Sequence, residues 1–141
     1  MIVALDVGER RIGVAVSDPS ERFALPLSTL ERSTLHDDLA AIAAIASEYG
    51  ATTLVIGDPI TLAGERGPAA RKMDAFCAAR AKAFDGTIER VDERLTTAQA
   101  TRSLLSAGAS RGARRRVVDR LAAALILEAF LARRRRAESS S

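Results

Sequence analysis

The sequence predicts a single α/β domain in which helices pack on a mixed five-stranded sheet. Two short apolar segments flank a polar turn near the N-terminus, which indicates an antiparallel hairpin. Further apolar segments then alternate with helical patterns, as parallel strands and their connecting helices do. The chain has 141 residues, of which 48% are hydrophobic and 28% charged, so it can bury one sizeable core. We expect one domain over residues 1–136 and a disordered tail over residues 137–141.

The first three strands are expected to form an antiparallel unit. The segments "IVALDV" (Ile2–Val7) and "IGVAVS" (Ile12–Ser17) are largely apolar and are separated by the polar turn "GERR". A third strand is predicted for "FALPLSTL" (Phe23–Leu30). Pro26 marks an irregular point in that strand, because proline has no N–H group to donate to a strand ladder.

Helices and strands alternate in the rest of the chain. Ser33 or Thr34 can cap a first helix, which ends near Gly50. The apolar run "TTLVIG" predicts a strand covered on both faces, and "GTIERVD" predicts an alternating strand. We also expect a loop at "DPITLAGERG", helices over 68–84, from 96 or 97 to 108 and over 117–133, and a basic loop at "ASRGARRR". The order βββαβαβαα is the layout of the RNase H-like fold, although other α/β folds with an opening meander also fit it.

Composition narrows the classes of function. Cys77 is the only cysteine, which excludes an internal disulfide and a cysteine-based zinc site. No apolar run reaches the length of a membrane span, and no secretory signal is recognisable, so a cytoplasmic location is expected. The net charge is +3, but the segment Arg111–Arg136 contains nine arginines and only two acidic residues. This asymmetry predicts either a basic surface for an anionic partner or a solvated helix end.

Acidic residues stand at three places that the fold can bring together. Asp6 ends the otherwise apolar first strand, Asp92 and Glu93 follow a later strand, and Asp119 projects from the apolar face of the last helix. Each has an ordinary explanation as a turn or helix-capping residue. Taken together, such carboxylates are typical ligands of Mg²⁺ or Mn²⁺. Two such ions would support hydrolysis of a phosphodiester bond.

Four stretches of the chain, in order, resemble the YqgF (RuvX) family. They are "LDVGERRIGVAVSD", "GDPITLAGERG", "VDERLTT" and "VDRLAAALILEAFL", and with them the resemblance covers essentially the whole chain. The resemblance implies an RNase H-like, Holliday-junction-resolvase-like nuclease of pre-16S ribosomal RNA. It implies Asp6, Glu93 and Asp119 as the catalytic, metal-binding acids. Members of the family often carry an apolar residue at the position of Asp58, so whether Asp58 contacts a metal or shapes the loop stays open here.

Arginines around these acids are the expected contacts for nucleic acid. The candidates are Arg66, Arg94, Arg111, Arg114, Arg115 and Arg116. Few aromatic residues are available to stack on bases, so we expect recognition of backbone and shape. The first expectation is a metal-dependent endonuclease for structured nucleic acid, and the resemblance implies that it processes the 5′ end of precursor 16S ribosomal RNA. Ribosomal particles are expected as further partners, and the protein is expected to be a monomer or a weak homodimer. The alternatives are a resolvase of branched DNA and a non-catalytic factor that binds ribosomes or nucleic acid.

Overall fold

The computed structural model describes residues 1–58, 67, 71, 74, 76, 86–92 and 112–139, and for residues 112–114 it describes the backbone alone. These residues form five strands and two long helices in the order expected for them. In chain order the elements are β1 (Ile2–Val7), β2 (Arg11–Ser17), β3 (Ala24–Glu31), α1 (Leu35–Glu48), β4 (Thr53–Asp58), β5 (Thr87–Asp92) and α2 (Gly112–Ser139). Residues 71, 74 and 76 are also helical.

The five strands form one mixed sheet in the order β3-β2-β1-β4-β5. β2 is antiparallel to both β1 and β3, while β4 is parallel to both β1 and β5. The ladder between β2 and β3 is irregular where Val14 pairs with Ser28 and Ala15 pairs with Pro26, so that Leu27 is the extra residue. The mixed five-stranded sheet and the irregular point at Pro26 are therefore confirmed.

Each helix covers one face of the sheet. Alternate residues of β1 belong to two separate cores: Ile2 and Ala4 pack with α2, whereas Val3 and Leu5 pack with α1. This follows from the period of two in a strand. β1 and β4 are consequently buried along almost their whole length, as the continuous apolar run of β4 predicts.

Helix α1 begins as a capped helix. The hydroxyl of Thr34 accepts a hydrogen bond from the backbone N–H of Asp37 at 3.1 Å, which makes Thr34 the N-cap. Asp38 is buried in the first turn and accepts hydrogen bonds from the Ser33 N–H at 2.9 Å and from Arg32 Nε at 3.1 Å. Of the two predicted capping residues, Thr34 is therefore the cap.

Helix α2 is longer at both ends than the sequence predicts. It begins at Gly112, so residues 114–116 are helical and the predicted basic loop at these positions is wrong. Contacts with β3 hold this first part: Thr29 Oγ1 donates to the Arg116 carbonyl at 2.5 Å, and Arg116 Nε lies 2.8 Å from Glu31 Oε1. The helix continues to Ser139, so residues 137–139, which were predicted to be part of a disordered tail, are also helical.

The far end of α2 is tied to the turn between β2 and β3. Arg134 Nη1 lies 3.1 Å from Glu21 Oε1, and the N-terminal ammonium lies 3.2 Å from Glu21 Oε2. Arg135 Nη1 donates to the carbonyl of Arg22 at 3.2 Å. Burial alone would raise the pKa of Glu21, but hydrogen bonds from the ammonium and Arg134 outweigh it and hold that pKa below its usual range. No helix within the described ranges is long and apolar enough to cross a membrane.

Candidate functional site

Asp6 lies near the end of β1 and is only 5% exposed. Asp6 lies on the same face of β1 as Ile2 and Ala4, because alternate residues of a strand share a face. Ile2 and Ala4 pack against α2, so Asp6 also faces α2. Its partner in the antiparallel ladder is Gly13 of β2. Residues directly opposite each other in such a pair point to the same face. Any group that packs on Gly13 therefore lies beside Asp6.

Gly13 is the point at which α2 comes closest to the sheet. A Cβ atom at this position would overlap the carbonyl group of Asp119. Glycine is required because the helix backbone occupies the space of a side chain. The contact brings Asp119 to the face and the end of the sheet where Asp6 lies. Asp119 is seven residues from the start of α2, so the alternative that it caps this helix is wrong.

The carboxylate of Asp119 is bound by an arginine that sequence reasoning missed. Arg11 Nε donates to Asp119 Oδ2 at 2.6 Å, and the two side chains are 20% and 16% exposed. Arg11 begins β2 two residues before Gly13, so it points to the same face as Gly13. The spacing of two residues between Arg11 and Gly13 is a signal that could have identified Arg11. It places the Arg11 side chain on the face of the sheet where the predicted acids lie.

Two other acidic residues of the sheet lie on the opposite face. Asp58 ends β4 in phase with Leu54 and Ile56, which pack with α1, and Asp92 is its partner in the parallel register. Asp58 is 6% exposed, and its Oδ1 lies 2.8 Å from Arg90 Nη2. Arg90 Nη1 in turn lies 2.6 Å from Asp74. Asp58 therefore belongs to an ion-pair network on the α1 face, away from Asp6 and Asp119.

The basic residues at the start of α2 come about one turn before Asp119 in the same helix. Thr29, which binds the Arg116 carbonyl, pairs with Gly13 in the sheet, so Arg116 is level with Asp6. Arg115 and Arg116 are exposed, and Arg116 is paired with Glu31. The other predicted site residues are Glu93, Arg66, Arg94 and Arg111, which lie outside the described residues, and Arg114, of which only the backbone is described.

The chemistry of Asp6 and Asp119 fits a divalent metal ion. Carboxylate oxygens are the hard ligands that Mg²⁺ and Mn²⁺ prefer. Two carboxylates on one half-buried face also repel each other, which a cation between them would relieve. Within the ranges that the structure describes, no three acidic, histidine or cysteine residues form a metal site by themselves. Of the three predicted ligands, Asp6 and Asp119 lie within the described residues.

Comparison with known proteins gives concordant results for family and fold. The model of the RuvX family, described as Holliday junction resolvase, matches residues 1–133. A Clostridium perfringens protein named "Putative pre-16S rRNA nuclease" is 42% identical over 132 residues, which is 94% of this chain and 96% of that protein. A Myxococcus xanthus protein of the same name is 43% identical over 129 residues, 92% of this chain and 85% of that one.

Solved structures of RuvC from T. thermophilus have the same fold. In complex with a Holliday junction substrate, RuvC aligns with a TM-score of 0.57 and 16% identity over 95% of this chain and 96% of its own. A second structure of Thermus thermophilus RuvC gives a TM-score of 0.54 at 14% identity, with 94% and 95% covered. The RNase H-like fold predicted from the order of elements is confirmed by this likeness.

Proposed function

The chain belongs to the RuvX family, and on that premise we propose that it is a metal-dependent endonuclease that processes the 5′ end of precursor 16S ribosomal RNA. The names of the two relatives support the choice of substrate. The observation that carries the proposal is the contact of Gly13 with the backbone of Asp119, because Gly13 is the ladder partner of Asp6 and the contact supports a site that contains both acids. Metal-assisted hydrolysis of a phosphodiester bond uses such oxygen ligands to hold the ions.

Asp6 and Asp119 would hold the metal ions, and each is positioned by a different element. Asp6 is fixed by the central strand β1, and Asp119 is fixed by the packing of α2 on β2. When bound, a pair of Mg²⁺ or Mn²⁺ ions supplies an activated water and stabilises the leaving oxygen. Burial of Asp6 limits the access of bulk water, which strengthens the attraction of its carboxylate for cations.

Glu93 is the third acid in this proposal. Its neighbour Asp92 ends β5 on the α1 face, level with Asp58 and turned away from Asp6. This placement makes Asp92 unsuitable as a ligand and supports the choice of Glu93, which the family resemblance implies.

Arginines at the start of α2 would bind the phosphates that flank the cleaved bond. Arg115 and Arg116 are exposed on the part of the helix that lies level with Asp6. Arginine suits this role because its planar guanidinium can bind a phosphate through two hydrogen bonds. We assign the same role to Arg66, Arg94, Arg111 and Arg114.

The proposal is tested by cleavage of two substrates side by side. One is an RNA that spans the 5′ end of precursor 16S RNA, and the other is a four-way DNA junction; each is incubated with Mg²⁺, with Mn²⁺ and with EDTA. We expect the RNA to be cut with either metal and to survive in EDTA, and the D119N variant to leave it uncut. Symmetric cutting of the junction alone would favour the resolvase alternative, which the fold of RuvC suggests. Binding of the RNA without cleavage under any condition would favour a non-catalytic factor.

A further inference from the structure

We propose that Arg11 is a counterion of Asp119 in the metal-free form of the site and that it competes with a divalent cation for that carboxylate. This inference rests on the proposed function, because it concerns the same two carboxylates. Arg11 was not among the residues that the sequence patterns indicated. Its guanidinium nevertheless makes the 2.6 Å contact with Asp119.

The backbone around Arg11 is firmly held, so its side chain stays close to the site. Its carbonyl accepts a hydrogen bond from the N–H of Gly8 at 2.9 Å, which closes the turn between β1 and β2. On its other side, Arg11 pairs with Glu31 of β3. The carboxylate of Glu31 is bound by Arg116 at 2.8 Å. Asp119 is therefore the acid to which the Arg11 guanidinium is directed.

The low exposure of the two acids gives a physical reason for a counterion at Asp119. Asp6 and Asp119 lie on one face at low exposure, where repulsion between like charges is screened less than in water. A guanidinium in contact with one of them offsets this repulsion. A divalent ion bound by both carboxylates would then lie close to a positive charge, so the same guanidinium must weaken the binding of metal.

The neighbouring Arg10 provides a matched control. It carries the same charge one position earlier in the same turn, but its side chain is exposed. Among the described residues, Asp119 is paired with Arg11 and not with Arg10. Replacement of Arg10 by Gln lowers the net charge by one, as replacement of Arg11 does, but it leaves the contact between Arg11 and Asp119 in place.

The experiment is a calorimetric titration of the metal-free protein with Mn²⁺ alone, for wild type, R11Q, R11K and R10Q. We expect R11Q to bind Mn²⁺ on the order of tenfold more tightly, since a like charge next to a partly buried ion is lost. R10Q and R11K should stay within about twofold of wild type, because an exposed charge acts weakly and lysine preserves the cation. Without metal, R11Q should unfold at a lower temperature than R10Q, and saturating Mn²⁺ should remove most of that difference.

A second pair of variants shows whether Arg11 acts through Asp119. In the D119N background, the additional R11Q substitution should raise Mn²⁺ affinity by less than it does in wild type, because Arg11 no longer pairs with a charged ligand and only its repulsion of the ion is left. The inference is overturned if folded R11Q binds Mn²⁺ as wild type does or more weakly, because Arg11 would then orient Asp119 rather than compete for it. In that case the proposed nuclease function still stands, whereas a wild-type protein that binds no Mn²⁺ overturns both.

Discussion

At the scale of single residues, Asp6 and Asp58 have different roles because they lie on opposite faces of the sheet. Asp6 and Asp58 both lie at the end of a buried strand and are almost equally buried. Asp6 faces α2, where Gly13 admits the backbone of Asp119. Asp58 faces α1 and is bound by Arg90. The same residue type therefore serves the proposed metal site in one strand and a structural ion pair in the adjacent strand.

The same argument predicts different effects for the neighbours Asp92 and Glu93. We expect Glu93→Gln to lose both Mn²⁺ affinity and cleavage, the latter by more than about 100-fold, because loss of a direct ligand should exceed the effect of an outer-shell partner. Asp92→Asn should retain both, since Asp92 is level with Asp58 on the α1 face. Cleavage and Mn²⁺ titration of the two variants side by side make the comparison. An inactive Asp92→Asn with an active Glu93→Gln would show that the wrong acid was chosen.

At the scale of elements, α2 is the part that completes the site, and Gly13 sets its distance from β2. We predict that Gly13→Ala pushes the helix outward, costs about 1–3 kcal/mol of stability as overpacking does, and abolishes cleavage because Asp119 is displaced. Gly50→Ala is the control: Gly50 has a φ of +60° with no atom near its absent side chain, so the substitution costs at least about 1 kcal/mol through backbone strain alone.

Urea denaturation and cleavage, measured at a temperature at which both variants are folded, separate the two effects. Only Gly13→Ala should lose cleavage. A folded Gly13→Ala protein that cuts at the wild-type rate would show that the position of α2 does not matter for activity.

The far end of α2 gives a prediction about pH. Because the pKa of Glu21 is lowered in the folded protein, the unfolded chain binds more protons in the carboxylate range, and stability there rises with pH. We expect Glu21→Gln to be less stable than wild type by about 0.5–1 kcal/mol at neutral pH. The difference should shrink as the pH falls through the folded pKa, below the ordinary value of about 4.3. Urea denaturation at several pH values over this range measures the difference in stability. The control is Glu128→Gln, because Glu128 is exposed on α2. A stability difference that does not depend on pH would contradict the lowered pKa of Glu21.

The sheet could be predicted from the sequence, whereas the ends of α2 could not. β1 has the predicted bounds because its apolar run and the following turn are local signals. The run "GARRR" indicates a loop by composition, yet it is helical because Glu31 and Thr29 of β3 bind Arg116. The contact between Arg11 and Asp119 joins residues 108 positions apart. The pairing itself leaves no trace in local patterns; only the phase of Arg11 with Gly13 places it on the α2 face of the sheet.

At the scale of the whole molecule, α2 carries positive charge at both ends, but only one end adjoins the acids. Arg115 and Arg116 lie level with Asp6, and Arg134 contacts the turn at Glu21. The two arginine clusters are separated by roughly 25 Å along the helix axis. We therefore expect phosphate binding to depend on position and not only on net charge.

Two triple variants with equal charge change test this expectation. Replacement of Arg114, Arg115 and Arg116 by Gln should weaken binding of RNA and DNA alike and reduce the slope of log affinity against log salt by roughly 0.7–0.9 per lost contact. The same replacement at Arg133, Arg135 and Arg136 should change the slope little. Binding titrations at several salt concentrations measure both. Equal losses in the two variants would mean that the charge acts from a distance without localised contacts.

The central claim is that Asp6 is charged because it serves hydrolysis, and a comparison of Asp6→Asn with Asp58→Asn tests it most directly. The measurement is the single-turnover rate of cleavage of precursor 16S RNA with Mg²⁺, at a temperature at which circular dichroism shows both variants to be folded. We predict that Asp6→Asn loses cleavage by more than about 100-fold while its metal-free stability holds or rises, because repulsion from Asp119 is relieved. Asp58→Asn should be less stable, since the ion pair with Arg90 is broken, but should still cut. A folded Asp6→Asn protein that cuts at the wild-type rate would contradict the claim.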